Sequence, residues 1–151
     1  MRESEISRPI PIRAATMSDL HDVRAFLEPF VRERAILPRS DTELARLIEH
    51  GFVAAASDAV VGFAAVEPYS RKLAELQCLA VEKNYRRRGI GRRLIQHCVQ
   101  RARELGVYEL MAITASEEPF RDCGFDYSLP EQKRALFVHP QEMPPPELDH
   151  G

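Results

Sequence analysis

An apolar run, LAELQCLAV (Leu73–Val81), leads through a short arginine-rich link, EKNYRRR (82–88), into GIGRRLIQHCVQRARELG (89–106). This succession constrains the fold more than any other stretch. The first segment is apolar enough for the centre of a sheet. In the last, Leu94, Ile95, Cys98, Val99, Ala102 and Leu105 recur at helical spacing and predict one buried stripe, with Gly106 ending the helix. A central strand that feeds an amphipathic helix predicts layers, with helices packed on the faces of a sheet.

The neighbouring segments fit that frame. PIPIRAA (9–15) reads as a short opening strand. TMSDLHDVRAFLEPFV (16–31) follows as a helix with Leu20, Val23, Leu27, Phe30 and Val31 on one face, Ser18 as its cap and Pro29 breaking or bending it. SDTELARLIEH (40–50) opens on a capping box, Ser40 with Glu43, and aligns Leu44, Leu47 and Ile48 before Gly51. FVAAASDAVVGFAAVEPY (52–69) reads as a hairpin turning at Ser57–Asp58–Ala59. After the long helix come VYELMAIT (107–114) as a buried strand, a short helix around EEPFRDC (117–123), and two closing strands, FDYSL (125–129) and RALFVH (134–139). The predicted order is β-α-α-β-β-β-α-β-α-β-β, an α/β (α+β) fold with a mixed, mostly antiparallel sheet flanked by helices.

The folded part is expected over 10–139. Polar residues 1–9 and the proline-rich, acidic residues 140–151 carry no apolar period, so ordering them would cost entropy without burial to offset it. A chain of 151 residues suits one domain. The formal net charge of −2 argues against a dedicated nucleic-acid binder. No apolar run is long enough to span a bilayer, so no membrane partner is expected. The start lacks the apolar core of a secretory signal. Cys78, Cys98 and Cys123 are irregularly spaced, which suits reduced thiols in a cytoplasmic protein. The histidines form no metal-spaced cluster, so no metal is expected.

The arginine–glycine link is the strongest chemical feature. It precedes a helix N-terminus, where unpaired N–H groups and the helix dipole favour an anion. Gly89 and Gly91 let the backbone approach a ligand closely, and the surrounding arginines add positive charge. The sequence lacks G-x-x-x-x-G-K-[ST], and Leu94 stands where a Rossmann fingerprint needs its third glycine. The link therefore suits a pyrophosphate held by backbone N–H groups.

In CLAVEKNYRRRGIGRRLI, Arg86, Gly89 and Gly91 occupy the [QR]-x-x-G-x-[GA] positions after a V-x-x-x-[YF] strand exit. This closely resembles the acetyl-coenzyme A site of the GNAT acetyltransferases. The resemblance implies that the turn Arg86, Arg87, Arg88, Gly89, Ile90, Gly91 and Arg92 holds the coenzyme pyrophosphate. It also implies that the backbone of Leu79, Ala80 and Val81 pairs with the pantetheine arm. IRAATMSDL, ILPRSDTEL, GFAAVEPY, AELQCLAV, ARELGV and LPEQKR are similar, more narrowly, to the acetyltransferase domain of the N-acetylglutamate synthases. Through that likeness Glu75 takes the place of a general base, Thr114 a hydroxyl position near the thiol leaving group, and Leu37 and Arg39 the acceptor's carboxylate contacts.

Two departures bear on the acceptor. The synthases close with an R-x-S-x-x-L strand that binds a second carboxylate, whereas this chain has RALFVHPQEMPPPEL, with Glu142 near the expected arginine. Phe120 stands where many GNAT enzymes carry a tyrosine acid. The resemblance thus implies acetyl transfer by direct amine attack onto a small amino acid or related carboxylate-bearing amine. A peptide or protein N-terminal acceptor, or a sensor that binds the coenzyme without turnover, are the alternatives. Alternation along the strand points Cys78 away from Glu75 unless a bulge intervenes. Exposed sheet edges leave room for a homodimer.

Overall fold

The computed structural model describes residues 9–127, 136–145 and 147. Five strands form one sheet in the order β1-β2-β3-β4-β5: β1 (Ile12–Ala14), β2 (Gly51–Ala56), β3 (Ala59–Pro68), β4 (Leu73–Val81) and β5 (Glu109–Met111). The first four are successively antiparallel, and β5 runs parallel to β4. Helices α1 (Leu20–Arg32) and α2 (Asp41–Glu49) cover one face. Helix α3 (Ile90–Leu105), which connects β4 to β5, covers the other with the short α4 (Glu118–Arg121). Among the described residues no helix is long and apolar enough to cross a membrane.

Strand alternation divides the core into two layers. Phe63, Ala65 and Val53 pack toward α1 and α2, against Val23, Leu27, Leu44 and Ile48. Ala64, Val66 and Phe52 pack toward α3, against Ile90, Leu94, Ile95 and Cys98. Each large side chain buried this way stabilises the fold by roughly 1.5–3 kcal/mol. Gly62 permits the close approach of α3: a Cβ there would lie 3.1 Å from Leu94 Cδ1 and from Ala54 Cβ. Within the predicted stripe Leu105 stays 38% exposed, whereas Ile90, at the helix start, is buried.

The helix starts also differ in detail from the sequence reading. The capping box at Ser40 and Glu43 forms as expected. Ahead of α1, however, the group that gathers the free donors is Asp19 rather than Ser18. Its carboxylate accepts from the Thr16 N–H at 2.7 Å and from both Arg13 Nη atoms at 2.7 and 2.8 Å. Pro29 lies within α1, which continues to Arg32 before Arg34 turns the chain with φ of 62°.

The sheet's far side is shorter than predicted. β5 covers Glu109–Met111 alone and is half-exposed, because it pairs only with Leu73–Glu75. Of the two expected closing strands, the described parts, 125–127 and 136–139, are not strand. The remainder of both, with LPEQKR and residues 1–8, lies outside the described residues.

Candidate active site

The β4–β5 pairing ends at the rung Glu75–Met111. Beyond it the β5-facing backbone edge of Leu76–Val81 has no strand partner among the described residues, which includes Leu79, Ala80 and Val81. On its other edge β4 is paired with β3 through a bulge. Ala65 faces Gln77 and Phe63 faces Ala80, so Cys78 and Leu79 together oppose Ala64. Cys78 adopts φ of 60°, a left-handed conformation that costs a non-glycine residue about 1–2 kcal/mol. The bulge resets the alternation. Cys78 packs with Ala80 in the α1/α2 layer, and Leu79 packs toward α3. Cys78 therefore lies on the same side of the sheet as Gln77, contrary to simple alternation. Burial pushes its thiol pKa up to about 11, so it stays protonated at neutral pH.

At the end of β4, Tyr85 closes a turn in which the Glu82 carboxylate accepts from the Asn84 N–H at 2.9 Å. Helix α3 then opens on Gly89, which has φ of 78° and contributes no side-chain cap. The first helical bond joins the Arg93 N–H to the Gly89 carbonyl at 3.0 Å. The N–H groups of Arg87, Arg88, Gly89, Ile90, Gly91 and Arg92 find no acceptor among the described residues. Gly91 has no positive φ, and a Cβ there would meet only Val81 Cγ2, at 3.8 Å. Internal packing thus leaves open the space in front of Gly91, so the turn offers unpaired donors and room for a phosphate.

The arginines divide between scaffold and solvent. Arg93 donates to the Ile10 carbonyl at 2.7 Å, and Arg92 pairs with Asp122 at 2.7 Å, fastening α4 to the start of α3. Arg86 reaches back to the Val81 carbonyl at 3.3 Å, and the Arg88 guanidinium lies 5.0 Å over the Tyr85 ring. Arg87 and Arg88 carry no carboxylate partner among the described residues.

A polar network crosses the other side of β4. Arg39 Nη1 donates to the Leu37 carbonyl at 2.8 Å and Nη2 to Gln77 Oε1 at 2.6 Å. The Gln77 amide nitrogen in turn donates to Glu67, to the Tyr69 hydroxyl at 3.0 Å and to Glu75 at 3.3 Å. Tyr69 donates to Glu75 at 2.6 Å. Glu67 and Glu75 face each other across β3 and β4. Neither makes an ion pair among the described residues; neutral donors bridge them. Burial, with the adjoining carboxylates, pushes the Tyr69 hydroxyl well above the usual phenol range, so it remains a donor. Gln77, Glu67 and Tyr69 are members that the sequence reading passed over. Gln77 was within reach, since it lies two residues beyond Glu75 on the same face.

Next to this network a pocket of about 320 Å³ opens between α1, the Ile36–Arg39 segment and β4. Leu27, Val31, Ile36, Leu37, Arg39 and Cys78 line it. Leu37 and Arg39 thus share one wall, and Cys78 at the bulge joins the pocket to the open end of β4. Thr114 lies elsewhere, past the end of β5. Its hydroxyl donates to the Ser116 carbonyl at 3.2 Å and accepts from the Ser116 N–H at 2.9 Å, a local turn. Phe120 is buried edge-on against Phe125, and the Tyr127 hydroxyl is held by Glu117 at 2.8 Å.

The profile of the Acetyltransferase (GNAT) family matches residues 17–125. The chain belongs to the GNAT acetyltransferase family. This GNAT domain is 30% identical over 132 residues to the amino-acid acetyltransferase of Edwardsiella ictaluri, a match spanning 83% of this chain and 30% of that protein. It is 32% identical over 114 residues to an uncharacterized N-acetyltransferase of Chlorobaculum tepidum, covering 76% of this chain and 74% of that protein. Among solved structures it superposes, with a TM-score of 0.71 and 27% identity, on N-acetylglutamate synthase from Neisseria gonorrhoeae complexed with coenzyme A and N-acetyl-glutamate. That match covers 83% of this chain and 31% of the gonococcal one. The GNAT domain thus spans about a third of the length of these amino-acid acetyltransferase relatives.

Proposed function

We propose that this domain transfers an acetyl group from acetyl-coenzyme A to the primary amine of a small amino acid or related carboxylate-bearing metabolite. The observation that carries this reading is the hydrogen-bonded chain Arg39–Gln77–Glu75. It joins a cation suited to a carboxylate with a carboxylate suited to an ammonium, beside the open end of β4. Likeness to proteins named amino-acid acetyltransferase supports the same substrate class.

When bound, acetyl-coenzyme A supplies an acyl group activated as a thioester. In this reading the free N–H groups of Arg87–Arg92, with Arg86 beside them, hold its pyrophosphate. The edge at Leu79–Val81, which has no strand partner among the described residues, takes the pantetheine arm, and strand N–H groups near Leu79 polarise the acyl carbonyl. Arg39, with the backbone at Leu37, orients the acceptor through its carboxylate. Glu75 accepts the ammonium proton directly or through water. Such a base is needed because an amino acid's amine is mostly protonated at pH 7, and an ammonium cannot attack a thioester until it loses a proton. Thr114 is assigned the position near the thiol leaving group. The protonated Cys78 takes no covalent part.

The test is coenzyme A release across free amino acids and short peptides, with Arg39→Ala as control. Turnover on amino acids that falls with Arg39→Ala supports the reading. Turnover on peptides alone moves the acceptor to a protein N-terminus. Coenzyme binding with no turnover on any amine makes the domain a sensor.

A further inference from the structure

The pocket beside Arg39 holds information about the acceptor's side chain as well as its carboxylate. Helix α1 supplies Leu27 and Val31 to its wall, the following segment Ile36 and Leu37, and α2 Leu44. Its floor is the neutral thiol of Cys78. Three charged residues reach the lining: Arg24, Glu28 and Arg39. The Arg24 head group is paired with Asp41 across the start of α2. Glu28 contributes negative charge and has no cationic partner among the described residues. Arg39 is therefore the one lining cation without a carboxylate partner among the described residues. Its contacts to the Leu37 carbonyl and Gln77 use two of the guanidinium's five N–H donors, leaving the others for a ligand.

Among the described residues one available cation satisfies one carboxylate. A second carboxylate on the acceptor would enter a chamber of aliphatic side chains with Glu28 at hand, and would lose hydration without gaining a partner. An aliphatic or aromatic side chain would instead be released from water against Val31, Ile36 and Leu44. Nothing among residues 136–145 compensates. That segment is exposed, and its Glu142 is engaged by His139 at 3.4 Å.

We infer that the acceptor is an α-amino acid with an uncharged, apolar side chain, of the leucine, methionine or phenylalanine class, its α-carboxylate on Arg39 and its side chain in this pocket. The inference rests on the amino-acid reading of the site and narrows it.

The experiment compares kcat/KM with acetyl-coenzyme A for leucine, methionine, phenylalanine, glutamate and aspartate, in the native chain and in Val31→Lys. Coenzyme binding to both is measured separately to show that the variant folds. The expected result is a preference of at least about tenfold for the apolar amino acids over glutamate. Val31→Lys should narrow that preference about tenfold and leave coenzyme binding unchanged. Equal or better turnover of glutamate or aspartate overturns the inference while leaving amino-acid acetylation intact. So does a preference that Val31→Lys does not alter. If butanoyl-coenzyme A outpaces acetyl-coenzyme A and Val31→Lys abolishes that advantage, the pocket holds the acyl chain and the inference is wrong. Turnover on no amino acid overturns both this inference and the reading beneath it.

Discussion

Arg39 and Gln77, 38 residues apart in the chain, meet at 2.6 Å, and this contact ties the segment before α2 to β4. Without it the guanidinium would keep only its bond to the neighbouring Leu37 carbonyl. In Gln77→Leu, Arg39 should be less fixed and Glu75 should lose one donor. The expected effect is a rise in KM for the amino-acid acceptor of about three- to tenfold, as for the loss of one or two hydrogen bonds. The KM for acetyl-coenzyme A should be unchanged. Steady-state kinetics with each substrate varied separately makes the check.

The two loop glycines should behave differently. Gly89 has φ of 78°, so Gly89→Ala should cost about 1–2 kcal/mol of stability. Gly91 is helical, and a Cβ there would make only an ordinary van der Waals contact with Val81 Cγ2, at 3.8 Å. Gly91→Ala should raise stability by up to about 1 kcal/mol, since alanine is the better helix former. It should still weaken coenzyme A binding about tenfold, or about 1.4 kcal/mol. Thermal unfolding and equilibrium binding on the two variants separate these effects.

Asp19 should leave a mark on acid stability. Its hydrogen bonds from Arg13, chiefly, and from Thr16 lower its pKa from 3.8 to about 2. A carboxylate with a lower pKa when folded than when unfolded stabilises the fold above its unfolded value and ceases to as pH falls through its folded one. The contribution should be complete above about pH 4 and fade toward pH 2, amounting to roughly 1 kcal/mol because Arg13 is half exposed. Asp19→Asn should flatten the stability profile across that window, measured by urea unfolding.

Thiol reactivity should follow burial. Burial pushes Cys78 to about 11 and Cys98 to about 12, whereas Cys123 is only partly buried. Iodoacetamide at pH 7.5 should label Cys123 first, read by mass spectrometry of peptides. Cys78→Ala should retain turnover, and no acetyl adduct should accumulate on the native chain.

The strand–turn–helix unit was legible because its signals are local: an apolar run, glycines at a turn and a helical period each lie within a few residues. The Ser40 capping box was legible for the same reason. Cys78's orientation was not, because the bulge is a property of how β3 and β4 align and neither glycine nor proline marks it. Pro29 lies in the last turns of α1, where the helix ran on for three residues instead of breaking there. β5 was overestimated because its apolar residues suggested burial, whereas pairing to β4 supports only the three-residue stretch Glu109–Met111. Gln77 has no chemistry of its own to draw notice. Its partners at Arg39, Glu67 and Tyr69 converge only once the sheet has formed.

The central claim is that Glu75, at the last rung before β4 and β5 part, takes the acceptor's proton. Its most direct test is the pH dependence of kcat for Glu75→Gln beside the native chain, with coenzyme A affinity measured on both. The account predicts that the variant binds coenzyme A normally, that kcat at pH 7 falls by about 10²–10⁴, and that part of the loss is recovered at high pH as the amine deprotonates unaided. A variant that turns over at the native rate across the same pH range would contradict it.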